Sequence, residues 1–167
     1  LYDTLSAAGK AFDLKPCGMH AMDCGRIEKG FRHFGHDITC EDHVLEAGLG
    51  FAVKNSKPEL IGRDAVLRKK EAGLNTRLLQ FQLQDPDPML YHNEPVLRDG
   101  EIVGYLSSGA YGQYLGAAIG MGYVPCRGET GQDLLASAYE IDVAGTRVKA
   151  TASLRPLYDP SATRVKA

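Results

Sequence analysis

The chain has 167 residues, of which 44% are hydrophobic and 24% are charged, and its formal net charge is −2 at pH 7. This composition excludes a disordered segment, and the 19 glycines and 8 prolines exclude a long coiled coil. The near-neutral charge argues against a nucleic-acid partner, and no apolar stretch approaches the roughly 20 residues of a membrane span, so no membrane partner is expected.

The first 54 residues are predicted to be mainly helical. Apolar side chains at steps of three and four predict a short amphipathic helix formed around Tyr2, Leu5, Ala8 and Phe12. A second helical spacing runs from Met19 to Phe34, with Gly35 as its expected end. Residues 45–54 then resemble a strand that contains two glycines.

Residues 55–75 are predicted to be a connector with a short helix. The helix is expected from Gly62 to Glu71, and Gly73 is its expected C-terminal stop. From residue 76 onward the pattern changes, because Leu79, Phe81 and Leu83 alternate with glutamines as in a half-buried strand.

Two hairpins are predicted further along the chain, with turns at Asp99-Gly100 and Ala144-Gly145. Short strands at this spacing predict a small antiparallel barrel over residues 76–167. The expected fold class is therefore α+β, with a helical segment followed by the barrel.

The cysteines and histidines do not predict a metal site. Few cysteines and no Cys-x-x-Cys pair indicate free thiols in a reducing compartment. Four residues that could bind a metal, His33, His36, Cys40 and His43, lie close together, but their spacing matches no established zinc site. A polar turn is the preferred interpretation.

The glycines between residues 104 and 122 do not predict a nucleotide site. No Lys-Ser or Lys-Thr follows them, which excludes a P-loop, and Gly120-x-Gly122 lacks the third glycine of a dinucleotide fingerprint. We expect glycines at bulges and tight corners of a curled sheet.

One set of motifs is more specific. Residues 24–37 read Cys-Gly-Arg-Ile-Glu-Lys-Gly-Phe-Arg-His-Phe-Gly-His-Asp. Further motifs follow in order: Leu-Glu-Ala at 45–47, Pro-Glu-Leu-Ile-Gly-Arg at 58–63, Ser-Ser-Gly-Ala-Tyr-Gly at 107–112 and Ser-Leu-Arg-Pro-Leu-Tyr-Asp-Pro at 153–160. Their order and spacing resemble the folate-dependent aminomethyltransferase family, which includes the glycine cleavage T-protein. The variant at 26–33 is more similar to the C-terminal half of flavin-dependent dimethylglycine and sarcosine dehydrogenases.

The resemblance implies a three-domain ring around a tetrahydrofolate channel. Residues 1–54 would end the folate-binding domain, 55–75 would connect it, and 76–167 would form the C-terminal barrel. The chain starts with Leu rather than Met, which we interpret as a segment of a longer protein. By resemblance, an N-terminal flavin domain would carry FAD and oxidise an N-methyl amine. The catalytic Asp of the family would also lie upstream, so no catalytic residue is expected in this segment and the segment alone is expected to be inactive.

Three residues are the expected tetrahydrofolate ligands. Arg26 matches the family arginine, and an arginine suits the folate carboxylates because it can bind them bidentately. Glu28 either contacts the ligand or, as we prefer, pairs with Arg32 four residues on. Phe34 either packs on the folate ring or belongs to the core. His36 and Asp37 are expected to cap a turn.

Two other functions remain open from the sequence. One is a stand-alone T-protein or related demethylase, which a missing upstream dinucleotide-binding motif would favour. The other is a non-catalytic family member with a scaffolding role. The expected location is a bacterial cytoplasm or the mitochondrial matrix.

Overall fold

The computed structural model describes residues 1–166. Its helices are α1 (Tyr2–Gly9), α2 (Met19–Glu28), α3 (Arg63–Ala72) and α4 (Gly131–Ala136), with 3₁₀ turns at Lys10–Phe12 and Gly50–Ala52. Its strands are β1 (Thr76–Leu83), β2 (Pro95–Arg98), β3 (Glu101–Gly112), β4 (Ala117–Pro125), β5 (Tyr139–Val143) and β6 (Thr146–Ser153). Within this described range, no helix has the length and apolarity needed to cross a membrane.

The six strands form a closed antiparallel barrel in the order β1-β4-β3-β2-β5-β6, and pairing of β1 with β6 closes it. Closure pairs the strand edges, which would otherwise present free backbone N–H and C=O groups. The predicted α+β fold, a helical segment followed by a small antiparallel barrel, is confirmed.

Both predicted hairpins are present. Asp99 and Gly100 join β2 to β3 with φ angles of 53° and 89°, and Ala144 and Gly145 join β5 to β6 with φ angles of 51° and 88°. Two consecutive residues with positive φ give the turn whose twist matches the flanking strands.

The interior of the barrel is an apolar core drawn from all six strands and α4. Leu79, Phe81 and Leu83 of β1 lie in it, as the alternation predicts, and Phe81 is completely buried. Burial of a side chain of this size stabilises the fold by about 1.5–3 kcal/mol.

A second apolar cluster lies between α2 and the outer face of the barrel. Ile27 is completely buried there, against side chains of β1, β3 and β4. Because α2 covers this face, the prediction that β1 is only half-buried is wrong at Gln80, which is 6% exposed. The Gln80 side-chain amide donates to the Ile27 carbonyl oxygen, and its oxygen accepts the Leu157 N–H at 3.0 Å.

The second helix is shorter than predicted. It ends at Glu28, because Gly30 has a φ of 68° and turns the chain away from the helix axis. The predicted stop at Gly35 is wrong, since Gly35 lies in a turn seven residues beyond the helix end. The predicted α3 is present and ends, as expected, before Gly73.

The predicted strand at residues 45–54 is also wrong. Successive turns cover residues 44–48, where Gly48 has a φ of 72°, and the 3₁₀ turn follows. A positive φ interrupts an extended path, so the apolar run cannot be a strand. One backbone bond, from the Leu78 N–H to the Glu46 carbonyl oxygen at 2.9 Å, still ties this segment to β1.

Glycines in β3 and β4 stand where backbones approach closely. A Cβ at Gly109 would lie 2.7 Å from the Tyr91 nitrogen and 2.8 Å from two further backbone atoms, and a Cβ at Gly122 would lie 2.6 Å from the Tyr105 carbonyl oxygen. The absence of a side chain therefore lets the loop at 90–91 pack directly on Gly109 and lets β3 approach Gly122 closely.

We expect Gly109→Ala to lower the free energy of unfolding by about 1–3 kcal/mol, because its methyl group would overlap backbone atoms that cannot move independently. The matched control is Gly25→Ala in α2, where a Cβ meets nothing within 4 Å. The control should gain about 0.5–1 kcal/mol from helix propensity. Urea denaturation followed by circular dichroism measures both, and equal midpoints for the two variants would contradict the prediction.

Candidate functional site

A cavity of about 480 Å³ lies where α2 meets the barrel. Five parts of the chain line it, namely α2, the turn at 33–36, the loop at 89–92, strand β3 and the turn that follows β3. Its walls mix apolar and aromatic side chains with polar ones, including Met89, Tyr91, Tyr111, Ser107, Ser108 and Gln113. A cavity of this size and composition is suited to a small organic ligand.

Arg26 contributes a positive charge to the wall of this cavity, and its side chain is 15% exposed. Its Nε donates to Asp23 Oδ1 at 2.8 Å, its Nη1 to Asp37 Oδ2 at 2.8 Å, and its Nη2 to Ser108 Oγ at 2.9 Å. Nη1 also donates to the Phe31 carbonyl oxygen at 3.4 Å. The hydrogen bond from Arg26 holds the pKa of Asp23 below its usual range.

Asp37 has a larger role than the turn cap predicted from the sequence. Its side chain is fully buried, and Oδ2 accepts the His33 N–H at 2.8 Å besides the Arg26 bond. Oδ1 accepts the Ser107 hydroxyl. Asp37 thus caps the turn, as predicted, and it also forms a buried ion pair. An arginine that is buried on folding needs a carboxylate partner, and this requirement could have pointed to Asp37 from the sequence.

The network limits what Arg26 can do. A guanidinium has five N–H donors, and four of them face Asp23, Asp37, Ser108 and the Phe31 carbonyl oxygen. Two carboxylates also offset its single positive charge. Bidentate binding of a ligand carboxylate, which the sequence motif suggests, would require one of these contacts to break. One remaining N–H is suited to a single neutral acceptor.

Glu28 lies at the end of α2 and faces away from the cavity lining. Its Oε1 accepts the backbone N–H groups of Tyr114 at 2.7 Å and Leu115 at 3.2 Å, beyond the end of β3. The predicted pairing with Arg32 is wrong, because Arg32 donates to the carbonyl oxygens of Ala47 and Gly30 instead. The helix ends at Glu28, so four-residue helical spacing does not apply there.

The next residue anchors the same helix end to the C-terminal segment. Lys29 Nζ lies 2.8 Å from Asp159 Oδ2, and both side chains are almost buried. This ammonium holds the pKa of Asp159 well below its usual range. The Tyr158 N–H also donates to the Glu28 carbonyl oxygen at 3.1 Å.

The structure places Phe34 neither in the core nor in the lining of the cavity. It is 65% exposed, so its interpretation as a core residue is wrong, and it is not among the residues that line the cavity. His33 and His36 do line the cavity, with ring centroids 4.5 Å apart. No group of three or more His, Cys, Asp or Glu side chains within residues 1–166 is arranged to hold a metal ion.

Two family models match the chain. The one described as the glycine cleavage T-protein C-terminal barrel domain matches residues 76–159, and the one described as the GCVT N-terminal domain matches residues 1–57. The chain is also similar in structure to the aminomethyltransferase T of the glycine cleavage system from Bartonella henselae. The TM-score is 0.77 over 93% of this chain and 44% of that one, and at 21% identity this likeness supports the fold.

Similar sequences include several named enzymes. The 4-methylaminobutanoate oxidase (formaldehyde-forming) of Paenarthrobacter nicotinovorans is 39% identical over 98% of this chain, and human mitochondrial sarcosine dehydrogenase is 35% identical over 99%. An aminomethyltransferase of Halothermothrix orenii is 40% identical over 74%. The chain spans 19%, 18% and 34% of the lengths of these three relatives, respectively.

We expect Lys29→Met to destabilise the fold in a pH-dependent way. Because the folded-state pKa of Asp159 is lowered, its pairing stabilises the protein above the unfolded-state pKa of about 3.9 and is lost as the pH falls. The variant should therefore be less stable than the wild type near about pH 6, with the difference narrowing from about pH 5 to about pH 2.

Urea denaturation across this pH range measures that difference. Lys149→Met, which removes an exposed lysine of β6, is the matched control and should show no such narrowing. A constant difference between Lys29→Met and the wild type at every pH would contradict the prediction.

Proposed function

Because the chain belongs to the glycine cleavage T-protein family, we propose that it is the C-terminal, tetrahydrofolate-binding portion of an N-methyl amine dehydrogenase or oxidase. The observation that carries the proposal is the cavity at the junction of α2 and the barrel, with Arg26 at its wall. The oxidase and sarcosine dehydrogenase relatives, which align over nearly the whole chain, support this parentage. Their greater length supports an activity that belongs to a longer polypeptide.

The residues of the cavity fit the ring portion of a folate better than its anionic tail. Tyr91, Tyr111 and Met89 offer apolar surface for a flat aromatic ring. Arg26 has one N–H for a neutral acceptor on that ring, and Asp23 and Asp37 offset its charge. A doubly charged tail would gain little attraction there, so we expect it to extend away from Arg26.

In this proposal, residues of the chain bind and orient the folate and do not transfer protons. Both oxygens of the buried Asp37 already accept hydrogen bonds, and Asp23 Oδ1 accepts from Arg26, so we assign these carboxylates to holding Arg26 rather than to proton transfer. By resemblance, a carboxylate elsewhere in the polypeptide would assist the transfer, and FAD on a flavin domain would supply amine oxidation. Positioning of the two reactants is the contribution expected from this portion.

Arg26 is the proposed ligand among the three residues selected from the sequence. For Glu28 we propose a structural role, because its Oε1 accepts two backbone N–H groups and its side chain is nearly buried. Contact of Phe34 with the ligand stays a prediction. Its ring is exposed in this chain, so such a contact requires another part of the polypeptide to enclose the ligand against it.

The second candidate function is that of a stand-alone aminomethyltransferase. The 40% identity to the Halothermothrix orenii protein favours it. The complete gene sequence separates the two candidates, because the oxidative function requires a dinucleotide-binding Gly-x-Gly-x-x-Gly motif upstream and the transferase function does not.

We expect the complete gene product to bind 5-formyltetrahydrofolate with micromolar affinity in isothermal titration calorimetry, and the 167-residue chain alone to bind it weakly or not at all. Arg26→Ala should weaken binding by the complete product about tenfold, the loss expected for one charge-assisted hydrogen bond. Arg147→Ala, on the exposed face of β6, is the control and should bind normally. Micromolar binding by the chain alone would contradict the proposed division of the site.

A second measurement tests the reaction. With an N-methyl amine substrate and tetrahydrofolate, the complete gene product should form methylenetetrahydrofolate, and without tetrahydrofolate it should release formaldehyde. Arg26→Ala should shift the products toward formaldehyde and leave the rate of amine oxidation unchanged, because the cavity takes no part in oxidation. Unchanged product ratios would show that Arg26 does not contribute to folate capture.

A further inference from the structure

We propose that Asp37 is a positioning residue that orients Arg26 toward the ligand, supported by Ser107 and Ser108 of β3. The inference rests on the proposed function, since it concerns how the folate-binding arginine is held. It assigns a role to a buried carboxylate that the sequence motif presented only as part of a turn.

The contacts of Arg26 differ in how firmly they fix its guanidinium. Asp23 lies one helical turn before Arg26, is 33% exposed, and holds only the Nε end nearest the backbone. A partly exposed pair on one helix is weak, and a single bond at Nε leaves the guanidinium plane as a whole free to turn. Asp23 alone therefore cannot set the direction of the guanidinium fork.

Asp37 is anchored far better than Asp23. Its side chain is fully buried, and it binds Nη1, at the far end of the Arg26 side chain. Its own position is fixed from two other sides, by the His33 backbone N–H and by the Ser107 hydroxyl of the barrel. A charge-assisted bond to a carboxylate held in this way fixes a planar guanidinium in one orientation.

Strand β3 supplies a further contact of the guanidinium. Ser108 is 3% exposed, and its Oγ accepts one Nη2 hydrogen at 2.9 Å. With Nη1 on Asp37 and one Nη2 hydrogen on Ser108, the second Nη2 hydrogen has a set direction. The barrel therefore contributes to ligand recognition through residues that need not touch the ligand.

Asp37→Asn is a suitable probe because the site can accept an amide. Its oxygen can take the place of Oδ2, which accepts from Arg26 and His33. Its NH₂ group would then face Ser107, whose hydroxyl has a second acceptor in the Met121 carbonyl oxygen at 3.1 Å. The substitution removes the charge and leaves no buried polar atom without a partner, so we expect the fold to persist.

The test is a double-mutant cycle on the complete gene product, with 5-formyltetrahydrofolate as the probe in calorimetry. Asp37→Asn keeps an acceptor for Arg26 but removes the negative charge that holds the guanidinium firmly, so it should weaken binding about tenfold when Arg26 is present and less than about twofold in the Arg26→Ala background. Asp159→Asn, which removes the other ion pair at the end of α2, is the matched control and should leave the affinity unchanged. Circular dichroism verifies that each variant is folded, and Arg26→Gln replaces Arg26→Ala if the alanine variant does not fold.

The outcomes separate the inference from the function on which it rests. Weakening by Arg26→Ala without weakening by Asp37→Asn would overturn the positioning role and leave the folate site standing. Equal weakening by Asp37→Asn in both backgrounds would also overturn it, because Asp37 would then act independently of Arg26. Unchanged affinity in both single variants would overturn the folate site together with the inference.

Discussion

The packing of the last turn of α2 on the outer wall of the barrel is the contact on which the rest of the structure depends. Ile27 supplies the apolar part of this contact and is completely buried. The residues on either side of it, Arg26 and Glu28, reach the barrel through polar contacts with Ser108 and with the backbone of Tyr114. One buried aliphatic side chain flanked by two charged ones thus fixes both the position and the rotation of the helix.

Much of the barrel was predictable from the sequence, because its signals are local. Asp99-Gly100 and Ala144-Gly145 determine their turns through adjacent residues, and the alternation of Leu79, Phe81 and Leu83 indicates the side of the strand that is buried. The outer face of β1 was not predictable in this way. Gln80 is buried by a helix 53 residues earlier in the chain, and no local pattern records that contact.

The candidate site was predicted only in part, for a related reason. The motif identified Arg26, but two of its partners, Asp37 and Ser108, lie 11 and 82 residues away in the chain. An arginine in a sequence looks available for an anionic ligand, whereas the folded arginine is already compensated by carboxylates. The fold therefore changes the chemistry expected of this residue from recognition of charge to recognition of a single hydrogen-bond acceptor.

The buried Gln80 side chain affects how the protein unfolds locally. Its one amide group holds the Ile27 carbonyl oxygen with its nitrogen and the Leu157 N–H with its oxygen, so a barrel strand joins a helix near the start of the chain to a segment near its end. Local opening of either segment leaves one end of the buried Gln80 amide without a partner, so the first opening costs additional free energy. Once one segment has opened, the other costs less free energy to open. We therefore expect hydrogen exchange in α2 and in the residues after β6 to be coupled, so that the two segments open together despite their separation in sequence.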